Sequence, residues 1–158
     1  MTSSKDELCH PGIQEIEIHL DDDQTFSLSA LSLRPVHHKP KHLLIIFPGN
    51  PGVPGFYAPL MTHLFNASLK QCEIICLPHS GHYHHSRSRN EGVTKISPLE
   101  STRVFSLDEQ IHHKRQYVLH RLATCLDHDC PVSFIGHSIG SYIALEVRLY
   151  VIEQTMRH

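Results

Sequence analysis

The sequence predicts an α/β domain: a mostly parallel sheet flanked by helices, with an antiparallel hairpin at its N-terminal end. Three observations carry this. Short, largely apolar runs of the kind strands show when both faces are covered occur at Leu43 to Phe47, Glu73 to Leu77 and Pro131 to Ile135. Segments with helical spacing of apolar residues lie between and after those runs. A stretch that alternates with period two, interrupted by three aspartates, precedes them. The 158 residues amount to one ordinary domain, and 1–158 is read as a single unit without internal repeat or clear linker.

In the opening hairpin, Ile13 to Leu20 alternates imperfectly, Asp21-Asp22-Asp23 supplies a turn, and Thr25 to Leu33 alternates again. The polar, proline-flanked stretch Arg34 to Lys41 leads into His42 to Phe47, which reads as a central strand. Pro48-Gly49-Asn50-Pro51-Gly52 must stop it, because proline cannot donate to a ladder and glycine permits turn conformations. Leu60, Met61, Leu64, Phe65 and Leu69 mark a helix within Phe56 to Leu69, and Glu73 to Leu77 is a second buried strand. Pro78 to Leu99 has no period and reads as a long loop. Ser106 followed by Glu109 forms a capping box, opening a helix whose apolar face is Leu107, Ile111, Val118, Leu122 and Leu126 and which runs toward Asp127. Pro131 to Ile135 is the third buried strand, and Ile139, Ile143, Ala144 and Val147 mark the helix that follows.

Composition excludes several classes. Apolar residues make up 40% and charged residues 19%, a globular balance; 14 Lys and Arg against 16 Asp and Glu leave no basic field for nucleic acid at neutral pH. The 16 histidines would make the chain strongly cationic only below about pH 6.5. Cys9, Cys72, Cys76, Cys125 and Cys130 are odd in number and contain no C-x-x-C pair, so they read as reduced thiols rather than a disulfide framework or zinc ribbon. No segment resembles a signal peptide or a transmembrane span. Asn66-Ala67-Ser68 matches a glycosylation sequon, which carries no weight without an export signal.

Chemistry enters at Gly136-His137-Ser138-Ile139-Gly140. G-x-S-x-G is weak evidence by itself, but here an apolar strand enters it and a helical pattern leaves it, the arrangement a nucleophile elbow requires. Glycines flank the serine because side chains there would collide in so tight a turn, and Ser138 would stand at a helix start where negative charge is favoured. The alternative is a capping serine in a glycine-rich turn. An oxyanion hole in this architecture takes one N–H from the residue after the nucleophile, Ile139, and another from the loop after an earlier central strand. In that loop Pro48 and Pro51 have no N–H, leaving Asn50 as the natural donor. The alternative there is a proline-rich turn with no ligand.

These residues carry a resemblance. Leu44 to Gly52 (L-I-I-F-P-G-N-P-G), Phe56-Tyr57, His79-Ser80-Gly81-His82, Leu107 to Lys114 (L-D-E-Q-I-H-H-K) and Ile135 to Tyr142 (I-G-H-S-I-G-S-Y) resemble the lipid droplet-associated hydrolase family of α/β-hydrolases, over roughly Leu43 to Leu145. The resemblance implies the N-terminal part of an α/β-hydrolase fold. It also implies a serine lipid hydrolase of ester bonds, with sterol esters the suggested substrate. Its partners are then a neutral lipid or other ester and the lipid-droplet surface, its place the cytosolic side of lipid droplets and endoplasmic reticulum, its nucleophile Ser138, and its cofactor requirement none.

In this fold the triad acid and base follow the serine. Only twenty residues do so here; Glu146 and Glu153 belong to the exit helix and His158 is the last residue, so neither partner is identifiable. Family members are about twice this long, and the chain is accordingly expected to be an incomplete hydrolase domain, inactive by itself and with an open apolar edge beside Val132, Phe134 and Ile135. A non-catalytic lipid-surface or interaction protein derived from the fold is the second functional class. The cluster His79, His82, His84 and His85, with His37, His38, His112 and His113 as helpers, invites a metal reading. It has no carboxylate or cysteine at ligand spacing, so a polar loop near the site's rim is expected and no metal. His137 reads as an elbow residue, directed away from Ser138.

Overall fold

The computed structural model describes residues 12–19, 27–81, 104–124 and 130–156. Strands β1 (Gln14–His19) and β2 (Ser27–Leu33) pair antiparallel, with Gln14 opposite Ser32 and His19 opposite Ser27. The central strand β3 (His42–Phe47) lies between β4 (Cys72–Cys76) and β5 (Val132–Gly136), parallel to both, with Ile45 level with Ile75 and Phe134. β2 joins the other edge of β4 antiparallel, giving the order β1-β2-β4-β3-β5. Of these strands β2 alone runs against the rest, so the sheet is mostly parallel, as expected.

Helix α1 (Ala58–Ala67) covers one face of the sheet; α2 (Leu107–Thr124) and α3 (Ile139–Thr155) cover the other. Because successive strand residues point to opposite faces, the apolar run of β3 supplies both cores. Leu43, Ile45 and Phe47 meet Ile111, Val118, Ile143 and Val147, while Ile46 packs with Met61, Ile74 and Cys76. Phe47 and Phe134 meet edge to face at 5.4 Å, tying β3 to β5 beneath the end of the sheet where both loops emerge.

Several local readings change. The helix expected from Phe56 opens as a 3-10 turn at Pro54–Tyr57, and α1 ends at Ala67 because Leu69 and Lys70 adopt positive φ of 54° and 60°; Leu69 is consequently exposed instead of joining the apolar face. The capping box forms: the Ser106 N–H donates to Glu109 Oε2 at 2.8 Å and the Glu109 N–H to Ser106 Oγ at 3.3 Å. Leu107, expected on the buried face of α2, is exposed. The third apolar run, read from composition as buried, forms a half-buried β5: it is the edge strand, with a neighbour on one side only among the described residues, at the edge that was expected to be open. The aspartate turn, Leu126, Asp127 and the loop from His82 to Leu99 lie outside the described residues. Cys72, Cys76 and Cys130 are free thiols.

Candidate active site

β5 ends at Gly136, and its last ladder contact is the His137 N–H donating to Phe47 O at 3.1 Å. The chain reverses at Ser138, with φ 55° and ψ −125°, and enters α3 at Ile139. Few non-glycine residues adopt this backbone region, and it persists only where the surroundings enforce it. Here they do. A Cβ on Gly136 would stand 2.3 Å from Ser141 Cα, and one on Gly140 would stand 2.1 Å from Phe47 O. Glycine at both positions lets the helix fold back onto its own strand and onto β3. Ser138 is left exposed at the N-terminus of a 17-residue helix, where the free N–H groups and the dipole favour developing negative charge.

The Pro48–Gly52 loop lies against this turn. A Cβ on Gly49 would meet His137 Nδ1 at 2.9 Å and Ser138 Cβ at 3.0 Å. The loop closes as a tight turn, with the Gly52 N–H donating to Gly49 O at 2.7 Å and a cis peptide between Asn50 and Pro51. The N–H groups can be accounted for one by one. Gly49 donates to the Tyr57 hydroxyl at 2.9 Å, Gly52 to Gly49 O, Gly140 to His137 O and Ser141 to Ser138 O. Among the described residues, the N–H groups of Asn50, Ser138 and Ile139 have no such partner. Chemically, the arrangement offers an exposed hydroxyl with uncommitted N–H donors on the two segments that meet beside it.

The other expected residues lie elsewhere. Glu146 is ion-paired with Arg115 of α2 at 3.0 Å, and the Arg115 guanidinium also lies over the Tyr150 ring at 4.8 Å, so Glu146 serves helix packing. Glu153 is exposed fifteen residues past Ser138, about 22 Å along the helix at 1.5 Å per residue. His82, His84, His85 and His158 lie outside the described residues. His79 is buried against Gly52, His113 Nδ1 meets Ser80 Oγ at 2.8 Å, and His37, His38 and His112 are exposed. No group of three potential metal ligands occurs among the described residues.

Two features escaped the sequence reading. Tyr57 joins the loop to the elbow: its hydroxyl, besides accepting from Gly49, is 2.8 Å from His137 Nδ1. Nothing in residue spacing links positions eighty apart. The second is a buried polar node behind the loop. The Gln110 side chain accepts from the Ser80 N–H at 2.7 Å and donates to Ser80 O at 2.9 Å, and the Lys114 ammonium donates to Gln110 Oε1 at 3.2 Å. Burial pulls the Lys114 amine down to about 7, and burial pushes the neighbouring Cys76 thiol up to about 12. The signal for this node was present: Lys114 stands on the same helical stripe as Ile111 and Val118.

Residues 40–158 match the family profile described as lipid-droplet associated hydrolase. The chain is 33% identical over 111 residues to the lipid droplet-associated hydrolase of Rattus norvegicus, an alignment covering 69% of this chain and 33% of that protein. It therefore matches about a third of the length of such curated relatives. Among solved structures it is similar to an esterase of Pyrobaculum calidifontis, with TM-score 0.60 and 11% identity over 90% of this chain and 41% of that one. It is also similar to a lipase in its open form, with TM-score 0.55 and 22% identity over 84% and 38%. These likenesses establish the fold as that of the α/β-hydrolases.

Proposed function

Since the chain belongs to the lipid droplet-associated hydrolase family, we propose that it carries the nucleophile half of a serine hydrolase for lipid esters, with Ser138 as nucleophile. Ser138 Oγ attacks the ester carbonyl and forms the acyl–oxygen bond, the hydroxyl proton passes to a base, and the alcohol departs protonated. The oxyanion of the tetrahedral intermediate is held by the N–H groups of Ile139 and Asn50. The single observation that best supports this is the left-handed backbone of Ser138 at a strand–helix junction, with the Gly49–Asn50 turn packed against it. Neutral lipid esters, sterol esters among them, are the proposed substrates. The cytosolic face of lipid droplets and endoplasmic reticulum is the proposed location.

Among the described residues no histidine or carboxylate is hydrogen-bonded to Ser138. Hydrolysis by the 158-residue chain alone is therefore expected to be orders of magnitude below that of a complete triad. The same observation favours a second reading, a non-catalytic lipid-surface protein that retains the elbow. A fluorophosphonate probe separates the two. Slow labelling of the chain that disappears in Ser138→Ala supports the nucleophile; labelling unchanged in Ser138→Ala removes it. Rapid ester turnover that depends on Ser138 would show that the chain already holds a base.

A further inference from the structure

We propose that Tyr57 is a positioning residue that locks the Pro48–Gly52 loop to the elbow at His137, and so holds the two proposed oxyanion donors in register. The second clause rests on Ser138 being the nucleophile; the lock itself does not. Tyr57 ends the 3-10 turn that follows the loop, and its hydroxyl reaches both partners, Gly49 N at 2.9 Å and His137 Nδ1 at 2.8 Å. The rings are tilted by 60° with centroids 6.2 Å apart, so the hydroxyl rather than ring stacking makes the link. In the proposed lock the phenol oxygen accepts from the Gly49 N–H and donates its own proton to Nδ1, and the His137 ring carries its proton on Nε2.

Two consequences follow. The buried Gly49 N–H is taken out of the turn's supply of donors, leaving the Asn50 N–H as the turn's donor without a partner among the described residues. The loop can also approach the elbow no more closely than Gly49 allows, since its α-carbon already lies against His137 and Ser138. Contact on one side and the hydroxyl on the other confine the distance between Asn50 and Ile139, and a displacement of the order of 1 Å between such groups is enough to weaken a reaction about a hundredfold.

The test compares the full chain with Tyr57→Phe, which keeps the ring and removes the oxygen. With nitrogen-15-labelled histidine, and His137→Gln to assign the signal, wild type is expected to show an unprotonated Nδ1 and a protonated Nε2 on His137. Tyr57→Phe should give the ordinary tautomer mixture and at least about tenfold faster exchange of the Gly49 amide, with unchanged circular dichroism. Fluorophosphonate labelling of Ser138 should fall about tenfold in Tyr57→Phe and in His137→Ala, no further in the double variant, and recover in His137→Gln, whose amide oxygen can accept from Tyr57. Unchanged ring signals and Gly49 exchange in Tyr57→Phe would overturn the lock. Changed ring signals with unchanged labelling would overturn its role in register. If Tyr57→Phe fails to fold, His137→Ala reads Gly49 exchange from the other end of the link. Absence of labelling in wild type would overturn the nucleophile reading while the ring signals still decide the lock.

Discussion

The two flanks of β3 are built from similar sequence and end in different states. On one flank, every residue of β4 is buried, and α1 and α2 close the two faces beyond it. On the other, β5 is half-buried throughout, and α3, packed on the sheet through Ile143 and Val147, exposes a stripe of Tyr142, Leu145, Leu149, Ile152 and Met156 on its opposite side. Since Pro131 O and His137 N bond toward β3, the alternation of the strand turns the N–H and C=O groups of Val132 and Phe134 to the outer edge, which pairs with no strand among the described residues. An apolar run thus specifies a strand but not how many neighbours it will have. The elbow sits on the open flank, where the strand leading to it is held from one side and Phe47 and the Pro48–Gly52 loop supply the rest of its support.

The largest expected contrast is in stability. Ile45→Ala on β3 removes methyl groups from a site with no solvent access and should cost about 2–5 kcal/mol in chemical denaturation, whereas Leu149→Ala on the exposed stripe should change stability by no more than about 0.5 kcal/mol. Equal costs would erase the distinction between the flanks.

Lys114 tests the closed flank more sharply. Its folded value is depressed to about 7 against an ordinary 10.5, so between those limits the unfolded chain binds a proton that the folded chain refuses, and stability rises with pH. Above about pH 9 the slope reverses, because unfolded thiols ionise while burial holds Cys76 and Cys72 protonated up to about 12 and 11. Maximum stability is expected near pH 9. Lys114→Met should stabilise the protein by on the order of 2–4 kcal/mol at pH 7 and flatten the rise between pH 7 and 9. A variant no more stable than wild type would mean that the ammonium is solvated in the folded state.

The smallest effect concerns association. Among the described residues the outer edge of β5 pairs with no strand and α3 exposes an apolar stripe, and unprotected edges pair with other chains. Sedimentation velocity should show self-association, with Leu145→Lys and Leu149→Lys together raising the dissociation constant at least about tenfold, or ~1.4 kcal/mol. A clean monomer at high concentration would show that this flank does not self-pair.

Much of the architecture is legible in the sequence because its signals are short-range. The capping box at Ser106 and Glu109 spans four residues, and the apolar runs of β3 and β4 report their burial directly. The elbow was legible for the same reason: strand, glycine, serine, glycine and helix follow one another without a spacer. The partial exposure of β5 was not in its composition, since Val132, Phe134 and Ile135 are as apolar as their counterparts in β3. Nor could spacing show that Gln110 would close on Ser80.

By itself the sequence determined the element types, the sharp turn at Ser138 and which residues of the Pro48–Gly52 turn have no N–H, because periodicity, proline's missing N–H and the sterics of glycine act within a few residues. Only the tertiary structure decided the strand order and the partners of Tyr57. These depend on which distant surfaces come to bury one another, and many pairings satisfy the same local pattern. A hydroxyl at residue 57 meets an imidazole at residue 137 because β3 and β5 lie side by side and deliver both loops to the same end of the sheet.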